Sequence, residues 1–406
     1  MSEQEPQTEI CIVGAGAAGL WAAAECARRG ASVLVLEKTR RTGTKVLSSG
    51  GTRCNLTTTL DARDTARAFG QGHDFIRPAL QALSPQMVRA HFERIGVKTK
   101  TEADFDKVFP ASDSALQVRN ALERHARQAG AQFLLSQPVT SLEPTAAGWT
   151  VHCGNRRVHC RRLILATGGK SYPKTGTTGD GWVWLRALGL HVVDPVPALV
   201  PLESPAPWVH ALSGIAIDGE LRVGKLRRRR PVLFTHKGLS GPGAMDLSEP
   251  FARRLADEAR LDLLPELPME TLRAQLIDGA SAPGSPRLRT LLPLPKRVLA
   301  TLAQQSGLPD DNPQLNQISR KARNRLVENV KGWRIPISGT LGFSKAEVSA
   351  GGLGLDQLDR RSMQVHAHPG LFVVGELLDL TGPIGGFNFQ AAFATAQLAS
   401  VAATQS

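Results

Sequence analysis

An α/β architecture, a parallel sheet interrupted by a long inserted segment, is the fold class that this sequence predicts, on three observations. Residues 9–38, EICIVGAGAAGLWAAAECARRGASVLVLEK, read as strand, glycine turn, helix and strand. Residues 161–169, RRLILATGG, return to a buried strand that ends in glycine. Near the end, GLFVVGELLD (370–379) is a third buried strand, and FNFQAAFATAQLASVAA (387–403) is a long helix of small residues. Core elements of one kind thus stand at both ends of the chain, and the stretch between them has a different character.

The opening unit carries the most specific chemistry. Ile10–Val13 is a short apolar run, Ala17–Arg28 a helix that Gly30 can terminate, and Ala31–Leu36 a second apolar strand. Gly14, Gly16 and Gly19 form G-x-G-x-x-G between the first strand and the helix. In that position the first glycine makes the turn, the second admits a pyrophosphate and the third lets helix and strand approach. The helix N-terminus then offers free N–H groups to the phosphates. Glu37 closes the second strand, where a carboxylate meets a ribose hydroxyl. The combination predicts a Rossmann-like domain holding an adenine dinucleotide.

Residues 60–130 are mostly amphipathic helix, and short strands with turns follow up to Cys160. From residue 192 the chain turns proline-rich (PVPALVPLE) and then alternates like antiparallel strands through GIAIDGELRVGKLRRRRPVLFTHKGLSG. Residues 268–331 are richer in helix. We expect 1–191 with 338–406 to form a discontinuous FAD-binding domain. The insertion is then 192–337, β-rich over 192–265 and helical over 266–332.

Composition narrows the rest. The chain has 406 residues, 42% of them hydrophobic, enough for more than one packed core. Its net charge of +13 attracts anions of every size. The Arg227–Arg230 run lies in an alternating strand region without interleaved aromatics, so a hairpin end is favoured over a nucleic-acid strip. A small molecule is accordingly the expected partner rather than nucleic acid; an RNA-binding protein, which the net charge alone supports, and a cofactor-binding protein without turnover are the alternatives. Five scattered cysteines without a CxxC pair, and ten histidines without HExxH spacing, predict neither disulfides nor a metal site. The polar residues 1–8 lead directly into an apolar strand, and no window holds eighteen uncharged apolar residues. A cytoplasmic protein without a membrane span is expected, its oligomeric state open.

A second glycine cluster separates FAD from NAD. VVGELLDLTGPIGGFNFQAA (373–392) repeats the strand–glycine–helix logic, and a helix starting near Gly386 can face the N1–C2=O edge of a reduced flavin. With GAGAAG, TGTKVLSSGGTRCN, KVFPASD, ATGGKSYPKTGTTGDG, PALVPLE, LFTHKGLSGP and KAEVSAGGL, the chain resembles the aminoacetone oxidase-like and bile-acid-inducible flavoprotein family of NAD(P)/FAD-dependent oxidoreductases over residues 14–392. One departure is GGTRCN, with Thr52 where the family commonly has glycine. The resemblance implies bound FAD, a discontinuous FAD domain and an inserted β-barrel-like domain with a helical portion.

The expected FAD contacts are Gly14, Gly16, Ala17, Ala18, Gly19, Glu37 and Lys38 at the first turn. Lys45, Gly50, Gly51, Arg53, Cys54 and Asn55 follow in the second loop, then Val139, Thr167, Gly168 and Gly169. At the C-terminal end they are Gly375, Glu376, Asp379, Gly385, Gly386, Phe387 and Asn388. Lys45 is either a charge stabiliser beside the flavin or a solvated loop lysine. Tyr172, the only tyrosine, either stacks near the ring or packs, and His236 with Ser240 either lines the substrate pocket or ends a hairpin. Asp180 and Thr177 are expected to cap the following helix. Cys54 has no partner thiol nearby in sequence and is expected to pack rather than react. Only one G-x-G-x-x-G is present, so NAD(P)H, if it is the electron donor, docks transiently; O2 is the alternative redox partner.

Overall fold

The computed structural model describes residues 7–102 and 106–405; the polar residues 1–6 of the expected N-terminal lead lie outside them. The chain separates into two compact units, residues 1–197 with 347–406, and residues 198–346.

In the first unit, β1 (Gln7–Val13), α1 (Ala17–Arg28) and β2 (Val33–Leu36) form the predicted βαβ opening, with Gly30 at a φ of +89° just beyond the helix. β1 pairs in parallel with β2 and with β3 (Arg156–Leu165). β2 also pairs in parallel with Gln132–Leu134, and β3 with Leu371–Val373. β3 is long enough for two roles. Its first half closes an antiparallel meander with Ser141–Thr145 and Gly148–Cys153, and its second half lies in the parallel sheet.

Register decides where the chemistry sits. Val13 lies opposite Leu36 and Leu165, and Leu165 lies opposite Val373. The segments starting at Gly14, Glu37, Ala166 and Val374 therefore leave the sheet side by side at its carboxyl edge, where open α/β sheets bind ligands. The C-terminal helix Phe387–Thr404 packs against α1 through small residues, and the Trp21 indole N–H donates to Gln397 Oε1 at 2.9 Å.

The second unit has its own apolar core around Phe234, Leu261 and Trp333. Here β4 (Ala216–Val223), β5 (Leu226–Thr235), β6 (Glu258–Asp262) and β7 (Trp333–Pro336) belong to a seven-stranded sheet. Its order is β7–β6–β4–β5, then Gly238–Ser240, Leu202–Glu203 and Gly339–Thr340. The Arg227–Arg230 run lies in the β4–β5 hairpin, as its alternation predicts. The two end strands are successive pieces of chain separated only by Ile337 and Ser338, so the sheet curls back on itself. No direct pairing joins them, however, and the barrel-like expectation is corrected to a curled, unclosed sheet. The helices Met269–Ser281, Lys296–Ser306 and Arg320–Gly332 complete this unit. Among the described residues no helix is long and apolar enough to cross a membrane.

Candidate flavin and substrate site

The three glycines of the first turn have three different surroundings. Gly14 has a φ of +101°, and a Cβ there would lie 2.5 Å from the Ala166 carbonyl oxygen. A Cβ on Gly19 would lie 1.8 Å from the Gly14 carbonyl oxygen, so the helix seats on the loop itself. At Gly16 a Cβ would meet nothing within 4 Å. Gly16 caps α1 without any side-chain acceptor, so the first N–H groups of that helix face this open space. Ala17 and Ala18 supply small side chains in its first turn. Glu37 Oε2 accepts from the Ala15 N–H at 2.8 Å, and Oε1 accepts from the Thr39 N–H and hydroxyl. Lys38 donates to Asp180 at 2.6 Å. Asp180 is the first residue of its helix and Gly179 the cap, so the expected Asp180 cap is replaced by this ion pair. Thr177 instead closes its own loop by donating to the Ser171 carbonyl.

The second loop winds through consecutive left-handed residues, with φ +54° at Gly50, +66° at Gly51 and +72° at Thr52. A Cβ on Gly51 would meet nothing within 4 Å, whereas one on Gly50 would lie 3.0 Å from the Asn55 nitrogen. Arg53 turns to protein partners: Asp113 at 2.8 Å, Glu102, and the Phe109 ring at 4.1 Å. Asn55, with its amide turned to satisfy both ends, donates to the Thr57 and Val108 carbonyls and accepts from the Gly386 N–H at 3.0 Å. It thus ties this loop to the C-terminal helix start. Cys54 is fully buried, and burial pushes its thiol up to about 12, so it stays protonated and inert at neutral pH.

The third group centres on Glu376. Lys45 donates to Glu376 Oε2 and, at 2.6 Å, to the Ser171 hydroxyl. Glu376 Oε1 accepts from the Ser349 N–H at 2.9 Å and the Ser171 hydroxyl at 3.1 Å. A Cβ on Gly169 would lie 2.3 Å from that same Oε1, so glycine is required for this packing. Burial raises the Glu347 carboxyl above its ordinary value against the pull of Lys45. Burial and the Glu347 charge together raise Tyr172, which is held at a φ of +53°. Thr167 Oγ1, beside Gly168, is buried with no hydrogen-bond partner.

Of the remaining predicted residues, Val139 packs half-buried in the loop after Gln132–Leu134, whose Gln137 N–H donates to the Glu37 carbonyl. Gly375 has a φ of +68°, and its N–H donates to the Thr395 hydroxyl at 3.1 Å. The Asp379 N–H donates to the Leu353 carbonyl. Gly385 and Gly386 both have positive φ, and a Cβ on Gly386 would lie 2.5 Å from the Thr57 carbonyl. Phe387 is buried edge-on to Phe69, and Asn388 closes the turn with two 2.9 Å bonds to Gly382. His236 is exposed in the turn after β5, in the other unit, where the Ser240 hydroxyl points to Met245.

Two groupings lie outside the predicted set. Ser171, Ser349 and Glu347 meet only because strands about 180 residues apart converge; the one local signal is an acid directly before the fully buried strand Val348–Leu353. Glu25, His91 and His125 place ligand-type atoms within 4.8 Å of one another. Arg28 and Arg29 pair with that Glu25, and Arg94 bonds the His91 ring.

These features define a dinucleotide-binding α/β protein. The open space at Gly16, before the uncapped start of α1, fits the pyrophosphate of a dinucleotide such as FAD. The chain belongs to the HI0933-like family, whose Rossmann-domain model matches residues 8–402. It is an FAD-dependent oxidoreductase by family, as the resemblance implied. Over 399 residues it is 31% identical to a ribosomal RNA dihydrouridine synthase of Escherichia coli (strain K12), covering 96% of each chain. A 3-dehydro-bile acid delta(4,6)-reductase of Clostridium scindens is 29% identical over 98% of this chain and 99% of its own. Among solved structures, a 3-ketosteroid-delta4-(5alpha)-dehydrogenase from Rhodococcus jostii RHA1 shares the fold with a TM-score of 0.55 at 16% identity, over 100% of this chain and 98% of its own.

Proposed function

We propose that the protein is an FAD-dependent reductase of carbon–carbon double bonds conjugated to a carbonyl, with uridine in ribosomal RNA as its substrate class. Saturating the uracil ring and saturating a 4,6-unsaturated 3-oxo steroid are one reaction type: a hydride goes to the β-carbon and a proton to the α-carbon. Bound FAD supplies the hydride from N5. Pyridine nucleotide is the proposed electron donor.

The observation that carries the reading is the convergence of Lys45, Ser171 and Glu376 at the carboxyl edge of the parallel sheet, with Tyr172 next to Ser171 in the chain. Glu376 and Ser171 fix the Lys45 ammonium, which in this reading donates to the developing enolate-type oxygen, with its charge partly offset by the Glu376 carboxylate. The Tyr172 hydroxyl, in the same loop as Ser171, is the proton source this reading assigns to the α-carbon; burial and the Glu347 charge raise it, so its proton is given up only to a strongly basic enolate-type carbon. Glycine at 16 and 51 leaves the backbone N–H groups accessible to the cofactor. Low aromatic content weighs against nucleic acid when the sequence is taken alone. The full-length relatives that act on ribosomal RNA, together with the +13 charge, reverse that weighing.

The test is anaerobic: reduced, FAD-loaded protein is mixed with an unmodified ribosomal RNA transcript, and the return of the oxidised flavin absorbance is followed. Rapid return with the RNA supports the reading, and Tyr172→Phe should slow it. Return only with an unsaturated 3-oxo steroid would leave the reaction type standing and remove RNA as the substrate.

A further inference from the structure

We propose that a row of four arginines on the curled sheet of residues 198–346 is the strip on which the RNA phosphodiester backbone docks; this rests on ribosomal RNA being the substrate class. The row comes directly from strand register. Arg222 on β4 lies opposite Arg227 on β5 and opposite Arg260 on β6, and Arg260 lies opposite Arg334 on β7. All four are exposed, while their strand neighbours Leu221, Val223, Leu261 and Trp333 are buried. The pleat therefore sets the guanidinium groups together on the solvent face.

Like charges directly opposed across strands destabilise a sheet, and here three such pairs follow one another. Only partial relief comes from within the protein. Glu220 accepts from Arg222 Nε at 2.7 Å, and Glu258 accepts from Arg260 Nε at 3.0 Å. Asp262 lies 3.8 Å from one terminal amino group of Arg222, and Glu258 lies 4.0 Å from Arg334 Nε, so the acids offset part of the row's charge. The Arg260 bond uses Nε, which leaves its terminal amino groups the ones suited to paired contacts with phosphate. The unit around the row is itself basic. Residues 198–346 contain 22 Lys and Arg against 14 Asp and Glu, a net +8 of the whole chain's +13.

Size and chemistry select the partner. At a strand spacing of about 4.8 Å the row runs roughly 14 Å, on the order of four phosphates of one strand. No aromatic side chain stands among these arginines for base stacking, so the strip positions a backbone and does not choose a sequence. Selection of the uridine is left to the flavin site.

The experiment uses full-length, FAD-loaded protein and a fluorescent transcribed fragment of ribosomal RNA, with anisotropy measured over a series of KCl concentrations. The variant changes Arg222, Arg227, Arg260 and Arg334 to Gln; the control removes equal charge at exposed Arg63, Arg161, Arg360 and Arg361. The row variant should bind about tenfold or more weakly, with the salt slope reduced by about 3, while the control stays within about threefold of the unaltered protein. Its urea midpoint should not fall, because like-charge opposition is removed. Should the fourfold variant not fold, Arg227→Glu alone at the hairpin end should still weaken binding, and undiminished binding there overturns the proposal. Equal losses in variant and control overturn it, as does equal or tighter binding to vesicles of anionic phospholipid. If the row variant binds RNA like the unaltered protein while uridine is still reduced, the strip is refuted and the substrate reading survives. If the unaltered protein binds no RNA, both fall.

Discussion

Gly16 caps α1 and Gly19 lies three residues on in its first turn, yet replacing each with alanine should do opposite things. Gly16 sits at φ −78° and ψ −165°, which alanine adopts freely, and its Cβ would meet no protein atom within 4 Å. Losing glycine at a helix cap costs a few tenths to about 1 kcal/mol, and stiffening the unfolded chain returns about 0.4–1. The stability of the FAD-free protein should therefore change by less than about 1 kcal/mol. The added methyl does occupy the space facing the first N–H groups of α1. Losing one charge-assisted hydrogen bond to the pyrophosphate costs about 1.5–3 kcal/mol, which weakens FAD binding roughly tenfold to a hundredfold. At Gly19 the methyl would lie 1.8 Å from a backbone oxygen that cannot move independently. Gly19→Ala should destabilise even the FAD-free protein by about 3 kcal/mol or more. Urea unfolding of the apoprotein and quenching of FAD fluorescence on reconstitution separate the two effects. Unaltered FAD affinity in Gly16→Ala would refute the assignment of that open space to the cofactor.

Other positions give equally definite expectations. Thr52 is a β-branched residue at φ +72°, so Thr52→Gly should stabilise the protein by about 1 kcal/mol; a lower urea midpoint would show that its side chain makes contacts outweighing the strain. Lys45→Met and Glu376→Gln, singly and together, should give a coupling energy of about 1–3 kcal/mol in a double-mutant cycle, and a value near zero would mean the pair is not a unit. His91 is buried, and burial with the nearby His125 and Arg94 charges lowers it to about 4 from 6.5. The unfolded chain therefore binds the extra proton first. Stability should be level above about pH 6.5 and fall by up to about 3 kcal/mol as the pH drops toward 4. His91→Gln should flatten that fall, and an equally steep fall in the variant would assign it to other groups.

The sequence was most legible where local pattern and backbone demand coincide. The first strand, α1, the three glycines and the helix starting after Gly386 all announce themselves through apolar runs bounded by glycine. The carboxyl-edge row of Gly14, Glu37, Ala166 and Val374 could be inferred only as a consequence of parallel pairing. What stayed hidden depends on tertiary convergence. Ser171 and Ser349 are unremarkable hydroxyls in sequence and become the scaffold of Glu376 only when distant segments meet. Arg53 and Lys38 read as cofactor donors because cations near glycine loops often are, but acids at 102, 113 and 180 already hold them. The arginine row is likewise invisible in a linear chain, since register alone aligns residues 222, 227, 260 and 334.

The reaction proposed for this flavoprotein is saturation of the conjugated double bond in the uracil of ribosomal RNA. The most direct measurement is mass spectrometry of nucleosides from an unmodified ribosomal RNA transcript, incubated anaerobically with the FAD-loaded protein and a pyridine nucleotide. The account predicts that uridine at a defined position gains two hydrogens, only when flavin and reductant are both present, and that Tyr172→Phe slows the gain. Transcript whose uridines keep their mass, while the same reduced protein saturates a small unsaturated ketone, would contradict it.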